Sequence, residues 1–229
     1  MVIRKGAELV TKSRNPRRPQ ARTEKARSSM ISVATSMFAE KGYDATSIRN
    51  VEVKANVKRG MLIYHFGTKR KFWQEVVDSI WDNVRSKRED HISLLNSLEP
   101  LEGIEWLISF HVRFAAEFPI MPRLISHEAA QNSWRTEYIV NTHMRPGVEA
   151  MKPFVTGALH LSDEEFSHWY YILITASASL FSREYEYKNL FRFDCREESV
   201  ILAHTKTLTD MLMNGHDLNR NTDVFIETC

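Results

Sequence analysis

The chain has 229 residues, 43% apolar and 26% charged, a composition that suits a folded globular protein and leaves no room for long low-complexity tracts. Its net charge of +2 conceals a split: residues 1–71 carry a balance of +12 and residues 72–229 one of −10, as expected for a basic module that meets a polyanion joined to an acidic body with another task. Two cysteines, Cys195 and Cys229, exclude a disulfide framework and stand in no zinc-binding pattern, so no metal or cofactor is expected.

Residues 1–22 are rich in Lys and Arg, show no hydrophobic period, and read as a basic flexible arm able to lie along phosphates. No apolar leader is visible there, and the longest apolar stretch, 13 residues from Trp169 to Phe181, is too short for a bilayer. A cytoplasmic chain without a membrane partner is the expectation. Thr23 can cap a first helix whose apolar face is Met30, Val33, Ala34, Met37 and Phe38, stopped near Gly42. Thr46 and Ser47 are N-cap candidates for a short second helix, and a third fits Lys58 to His65. Three helices in about 45 residues, with a tight turn between the last two, describe a helix-turn-helix module over 23–67.

Thr68 opens a longer helix with Phe72, Val76, Ile80, Trp81 and Val84 on one face. Ile104, Leu107, Ile108, His111, Phe114, Ala115 and Phe118 mark the next, broken by Pro119 and Pro122. Residues 135–158 read as helical, with kinks at Pro146 and Pro153. Ser162 with Glu165, and Asp194 with Glu197, form capping boxes ahead of two closing helices. Residues 68–215 are thus expected to form a helical domain and 216–229 a polar tail. The fold class is all-α.

The stretch Phe38-Ala39-Glu40-Lys41-Gly42-Tyr43-Asp44-Ala45-Thr46-Ser47-Ile48-Arg49, followed by Val57-Lys58-Arg59-Gly60-Met61-Leu62-Ile63-Tyr64-His65-Phe66-Gly67-Thr68-Lys69, resembles the DNA-binding domain of the TetR family of bacterial transcriptional regulators. Leu62 and Phe66, four residues apart, anchor the third helix inward. Lys58, Arg59, Met61 and His65 fall near its outer surface, and Gly60 lets the backbone approach DNA closely. Lys58 and Arg59 stand where a phosphate would also meet the helix dipole. Thr46, Ser47, Tyr64 and Lys69 suit phosphate contacts, which set register without reading sequence. The resemblance implies that Arg59, Gly60, Met61 and His65 lie nearest the bases, and that Tyr64 and Lys69 touch the backbone.

Three positions depart from the family. Asn56 replaces a usual Gly and tolerates the left-handed conformation; Lys58 replaces a capping Ser and cannot accept a hydrogen bond. Glu52 replaces an Ala and is expected to crowd the contact between the two helices or to swing out toward a basic residue.

The resemblance further implies a homodimer on a palindromic operator in double-stranded DNA, joined through the last two helices, where Ala176, Ser177, Ala178 and Ser179 permit close packing. Trp106, Phe110, His111, Phe114, Met151, Trp134 and Tyr170, with the polar His127 and Glu128, suggest a cavity for a small, largely apolar effector. His204 reads as an interface residue. The expected function is that of a repressor in which the effector tilts the helix joining cavity and DNA module. The alternative is a structural or adaptor protein that binds DNA with the same fold and no effector. Catalytic motifs (HExxH, nucleophile elbow, P-loop, dinucleotide fingerprint) are missing from the sequence, so no enzyme is expected.

Overall fold

The computed structural model describes residues 17–89 and 97–214, and among these the regular structure is entirely helical. Helix α1 (Arg17–Ala45) starts six residues before the expected cap at Thr23, so the end of the basic arm is helical; residues 1–16 of the arm and the tail from 215 lie outside the described residues. Gly42 kinks α1 at φ 76°, ψ 175°. Helix α2 (Ile48–Lys54) is capped by Ser47, whose hydroxyl accepts the Asn50 N–H at 3.1 Å. Asn56 takes φ 54°, as its tolerance for that region allows.

Helix α3 (Met61–Phe66) is shorter than the expected 58–65. Gly60 stands at φ 86°, and the Met61 N–H donates to the Lys58 carbonyl at 3.1 Å, so residues 58–60 form a turn in front of the helix. Here glycine serves backbone conformation, with open space where a Cβ would stand. Thr68 then caps α4 (Lys69–Glu89) by accepting the Lys71 N–H at 3.1 Å.

Helix α4 is buried on two sides. Phe72, Val76, Ile80 and Trp81 point inward as expected, but Trp73 and Val77 are equally covered. One core joins Met30, Ala34, Met37 and Phe38 of α1 to Val51, Leu62, Phe66 and α4, and continues into Leu124 and Ile139 of the body. The hydrophobic core of the head therefore runs past residue 67.

Beyond α4 come α5 (Pro100–Glu117), α6 (Ile120–Ala129) and α7 (Trp134–Tyr138). The last passes through a π-helical segment, Ile139–Met144, into α8 (Arg145–Leu159), which carries Pro146 in its first turn and Pro153 inside. The Ser162–Glu165 capping box opens α9 (Asp163–Ser182). A helix that the periodicity did not suggest, α10 (Glu184–Phe191), separates α9 from α11 (Glu198–Asn214). The expected Asp194–Glu197 box does not form: the Asp194 carboxylate accepts the Arg196 N–H at 2.9 Å in a turn, and the helix begins later. A second core gathers Ile104, Ile108 and Val112 of α5, Val155 of α8, Phe166, Trp169 and Leu173 of α9, and Ile201, Leu208 and Leu212 of α11. Met211 of α11 is exposed.

Candidate nucleic-acid interface

The surface offered by α2, α3 and the turn between them is basic and continuous. Ser47, Arg49, Asn50, Lys54, Lys58, Arg59 and Gly60 are exposed. On α3 the most exposed side chains are Tyr64, 78% open, and Ile63, 45% open. Leu62 and Phe66 are buried as expected, and they pin the opposite face of the helix to the core.

Several predicted residues are placed differently. Thr46 is buried, and its hydroxyl donates to the Gly42 carbonyl at 2.8 Å and the Met37 carbonyl at 3.2 Å. It closes the C-terminal end of α1, where carbonyls lack helical partners, and its side chain does not reach a phosphate. Met61 is half-buried and packs on the core rather than standing outward. His65 turns toward α4: its ring meets Tyr64 and Phe66, and with Lys71, Gln74, Glu75, Asp78 and Tyr138 it lines a polar groove of about 480 Å³. The His65 Nε2 is buried without a hydrogen-bond partner among the described residues. Lys69 lies over the Tyr43 ring at 4.3 Å and its Nζ donates to the Asp44 carbonyl at 3.4 Å; partial burial pushes its pKa down.

Glu52 neither crowds the contact nor swings out. Only 4% exposed, it aims its Oε1 at the Leu62 N–H, 3.0 Å away. The first turn of α3 carries amides without helical partners, and Gly60 has no side chain to offer them. The carboxylate fills that need, so the expected meeting of a DNA phosphate with this helix end is not available at Leu62. Ile63 is the residue that sequence reasoning missed. Its position three residues after Gly60 could have revealed it, but the sequence pattern assigns it to neither face.

The sequence model of "Bacterial regulatory proteins, tetR family" matches residues 30–76, which span the second half of α1 through the start of α4. Over that stretch the chain is similar to the TetR family. It is 35% identical over 98 residues, 43% of its length, to the HTH-type transcriptional repressor Rv3405c of Mycobacterium tuberculosis, and spans about half (48%) of that relative's length. Two solved structures share the fold across the body as well. A TetR-like transcriptional regulator from Rhodococcus sp. RHA1 aligns with 84% of this chain and 96% of its own at TM-score 0.60 and 13% identity. FadR from Bacillus subtilis, solved in complex with stearoyl-CoA, aligns with 82% of this chain and 98% of its own at TM-score 0.60 and 14% identity.

The predicted effector residues do not form one group. Trp106, Phe110 and Phe114 make a half-buried row along α5, with centroids 5.1 and 6.0 Å apart, extended by Phe118. His111 beside them has its Nδ1 2.8 Å from the Leu107 carbonyl, and burial lowers its pKa. Tyr170 stacks on Phe166, and burial pushes its hydroxyl up to about 12. Trp134 belongs elsewhere: it packs on Trp73 and Tyr43 under the Arg70 guanidinium, at the junction of head and body. His127, exposed on α6, lies against Gly42 of α1. Glu128 is buried and paired with Arg135 at 2.6 Å. None of the predicted effector residues lines the polar groove or a second groove of about 470 Å³ between α9, α10 and α11. His204 lines that second groove and contacts the Ala176 carbonyl at 2.9 Å, so it bridges α9 and α11 within one chain.

A polar knot that the sequence did not suggest ties α4 to the π-helical segment. One Asp78 carboxylate oxygen meets the Tyr138 hydroxyl at 2.7 Å and the His143 Nε2 at 2.8 Å. His143 stacks on Trp81, and burial lowers its pKa against the opposing pull of Asp78. Burial, then the Asp78 hydrogen bond, raises the Tyr138 pKa.

Proposed function

We propose that the chain is a homodimeric DNA-binding regulator of transcription, a repressor, whose affinity for a palindromic operator is set by a small, largely apolar effector in the acidic body. The observation that carries this reading is the exposed α2–α3 face, with Lys58, Arg59 and Gly60 at the head of a helix whose Leu62 and Phe66 are locked inward. Ser47 and Tyr64 hold phosphates around it, Arg59 and Ile63 read base edges, and the Ile63 side chain suits a thymine methyl group. Met61 and His65 shape the helix from beneath.

Exposed Tyr171 and Ile172 on α9, with Leu202 and Met211 on α11, supply the apolar surface on which a second copy packs. Ser177 and Ala178, which the sequence assigned to that surface, are buried in the chain's own core. The complex of FadR with stearoyl-CoA supports a ligand with a long apolar chain for this fold, and the aromatic row of α5 is where such a chain would lie here. The scatter of Trp134 and His127 away from that row favours a second reading, in which the same fold binds DNA without an effector.

Enrichment of duplexes from a random pool, followed by anisotropy against salt, tests the main reading. A palindrome bound with a steep negative salt slope is expected. Absence of any duplex binding at low ionic strength would refute it. Fatty acyl ligands that leave the affinity for the enriched duplex unchanged would select the second reading.

A further inference from the structure

We propose that Glu52 is a positioning residue for DNA readout: from α2 it caps α3 and holds that helix at the angle which presents Arg59 and Ile63. The proposal rests on the DNA-binding reading above. It starts from the shortness of α3, six residues. A helix of that length has no stability of its own and takes its order from what its ends and inner face touch.

At the first turn, the Tyr64 N–H reaches the Gly60 carbonyl at 2.9 Å, and the Met61 N–H reaches the Lys58 carbonyl at 3.1 Å. The Leu62 N–H goes to the Glu52 carboxylate at 3.0 Å. That bond is buried at both ends, Leu62 being fully covered and Glu52 nearly so. It is charge-assisted, and it sets a negative group at the positive end of the helix. The main chain of the same residue also grips the turn, because the Glu52 carbonyl accepts the Val57 N–H at 3.0 Å. Residue 52 thus holds the linking turn with its backbone and the following helix with its side chain.

Non-specific DNA binding needs only the exposed cations, whereas base readout needs α3 in register. Loss of the cap should therefore act on discrimination. For the full chain, Glu52→Ala should lower the ratio of affinity for the duplex enriched by the wild type over a scrambled duplex by roughly five- to thirtyfold, the usual effect of losing a cap. Affinity for the scrambled duplex should stay the same. Glu52→Gln keeps an acceptor oxygen and should stay close to wild type. Amide exchange of the free protein reads the cap without DNA: Leu62 should exchange faster in Glu52→Ala and stay protected in Glu52→Gln.

An unchanged ratio in Glu52→Ala, an equal loss on both duplexes, or a Glu52→Gln protein that behaves like Glu52→Ala would overturn the proposal. If the wild type enriched no duplex, the DNA role would fall with the reading beneath it. Leu62 exchange would still decide separately whether Glu52 caps α3.

Discussion

Replacing Gly42 with Ala probes the joint between head and body. Gly42 has φ 76° and ψ 175°, a region that a residue with a Cβ occupies at a cost of about 1–3 kcal/mol. An added Cβ would also stand 2.3 Å from His127 Cε1 and 2.8 Å from Nε2, so the imidazole must move. The ring is the far end of an exposed side chain, and turning it aside costs at most about 1 kcal/mol. The backbone contribution dominates, and Gly42→Ala should destabilise the chain by about 2–3 kcal/mol. At roughly 2–4 °C per kcal/mol for a chain of this size, Tm should fall by about 4–12 °C. His127→Ala alone should change stability by less than about 0.5 kcal/mol. Added to Gly42→Ala, it should restore no more than the steric part. Denaturant titrations of the four proteins give the full cycle. A neutral Gly42→Ala, or complete recovery in the double variant, would show that the kink is not held in the left-handed region.

The buried pair at the same joint should be costly to break. Glu128 and Arg135 are 1% and 7% exposed at their side chains and 2.6 Å apart, so Glu128→Ala should cost about 3–5 kcal/mol in urea titrations, with Glu128→Leu/Arg135→Met recovering most of it; a loss under about 1 kcal/mol would refute a structural role for the pair. Burial places His143 and His111 below the ordinary value of 6.5, so both favour the neutral form in the folded state. Their contribution is complete above that value and is lost as pH falls from it through the lower folded values. Thermal melts should therefore drop between neutral pH and mildly acid pH, and His143→Gln should flatten the drop; an unchanged slope would contradict this. Replacing thymine with uracil in the enriched duplex should weaken wild-type binding at one position per half-site but leave Ile63→Ala indifferent, and equal sensitivity of both would remove Ile63 from base readout. Tyr171→Asp with Leu202→Asp should convert a dimer to a monomer in sedimentation, and an unaltered mass would mean that the second copy packs elsewhere.

The helix-turn-helix was readable because its signals are local: turn residues at fixed offsets, an apolar pair four apart, and a charge excess confined to one end. The second face of α4 was not readable. Periodicity identifies a helix with one buried stripe, and Trp73 and Val77 are covered only because the body closes over α4 from the other side. The same effect misassigned Trp134. An aromatic residue in the body looked like cavity lining, but its partners Tyr43 and Trp73 are distant in sequence. Thr46 went astray for a nearer reason. An N-cap candidate beside a better one is free to bond backward, and Thr46 satisfies the end of α1 while Ser47 caps α2. Glu52 and Lys58 were each seen as departures, yet only the fold reveals that the buried carboxylate supplies a cap which the lysine cannot.

These contacts constrain how a signal could pass from body to head. The head touches the body through Gly42 against His127, through Trp73 and Tyr43 against Trp134, and through Arg135, which pairs with Glu128 and lies 3.8 Å from Asp44. α4 is held further along by Tyr138 and His143 on Asp78. A tilt of α4 alone would strand the buried His143 ring and pull the Asp78 hydrogen bonds apart. The segment those residues flank is π-helical, an arrangement that stores a register change relative to an α-helix. If an effector acts, a transition in which the π segment rewinds and carries α4 with it would keep the Asp78 hydrogen bonds to Tyr138 and His143. Under the proposed function, the π segment is then the element with two states, and variants at Tyr138 and Asp78 should alter effector coupling without altering DNA affinity in the unliganded protein.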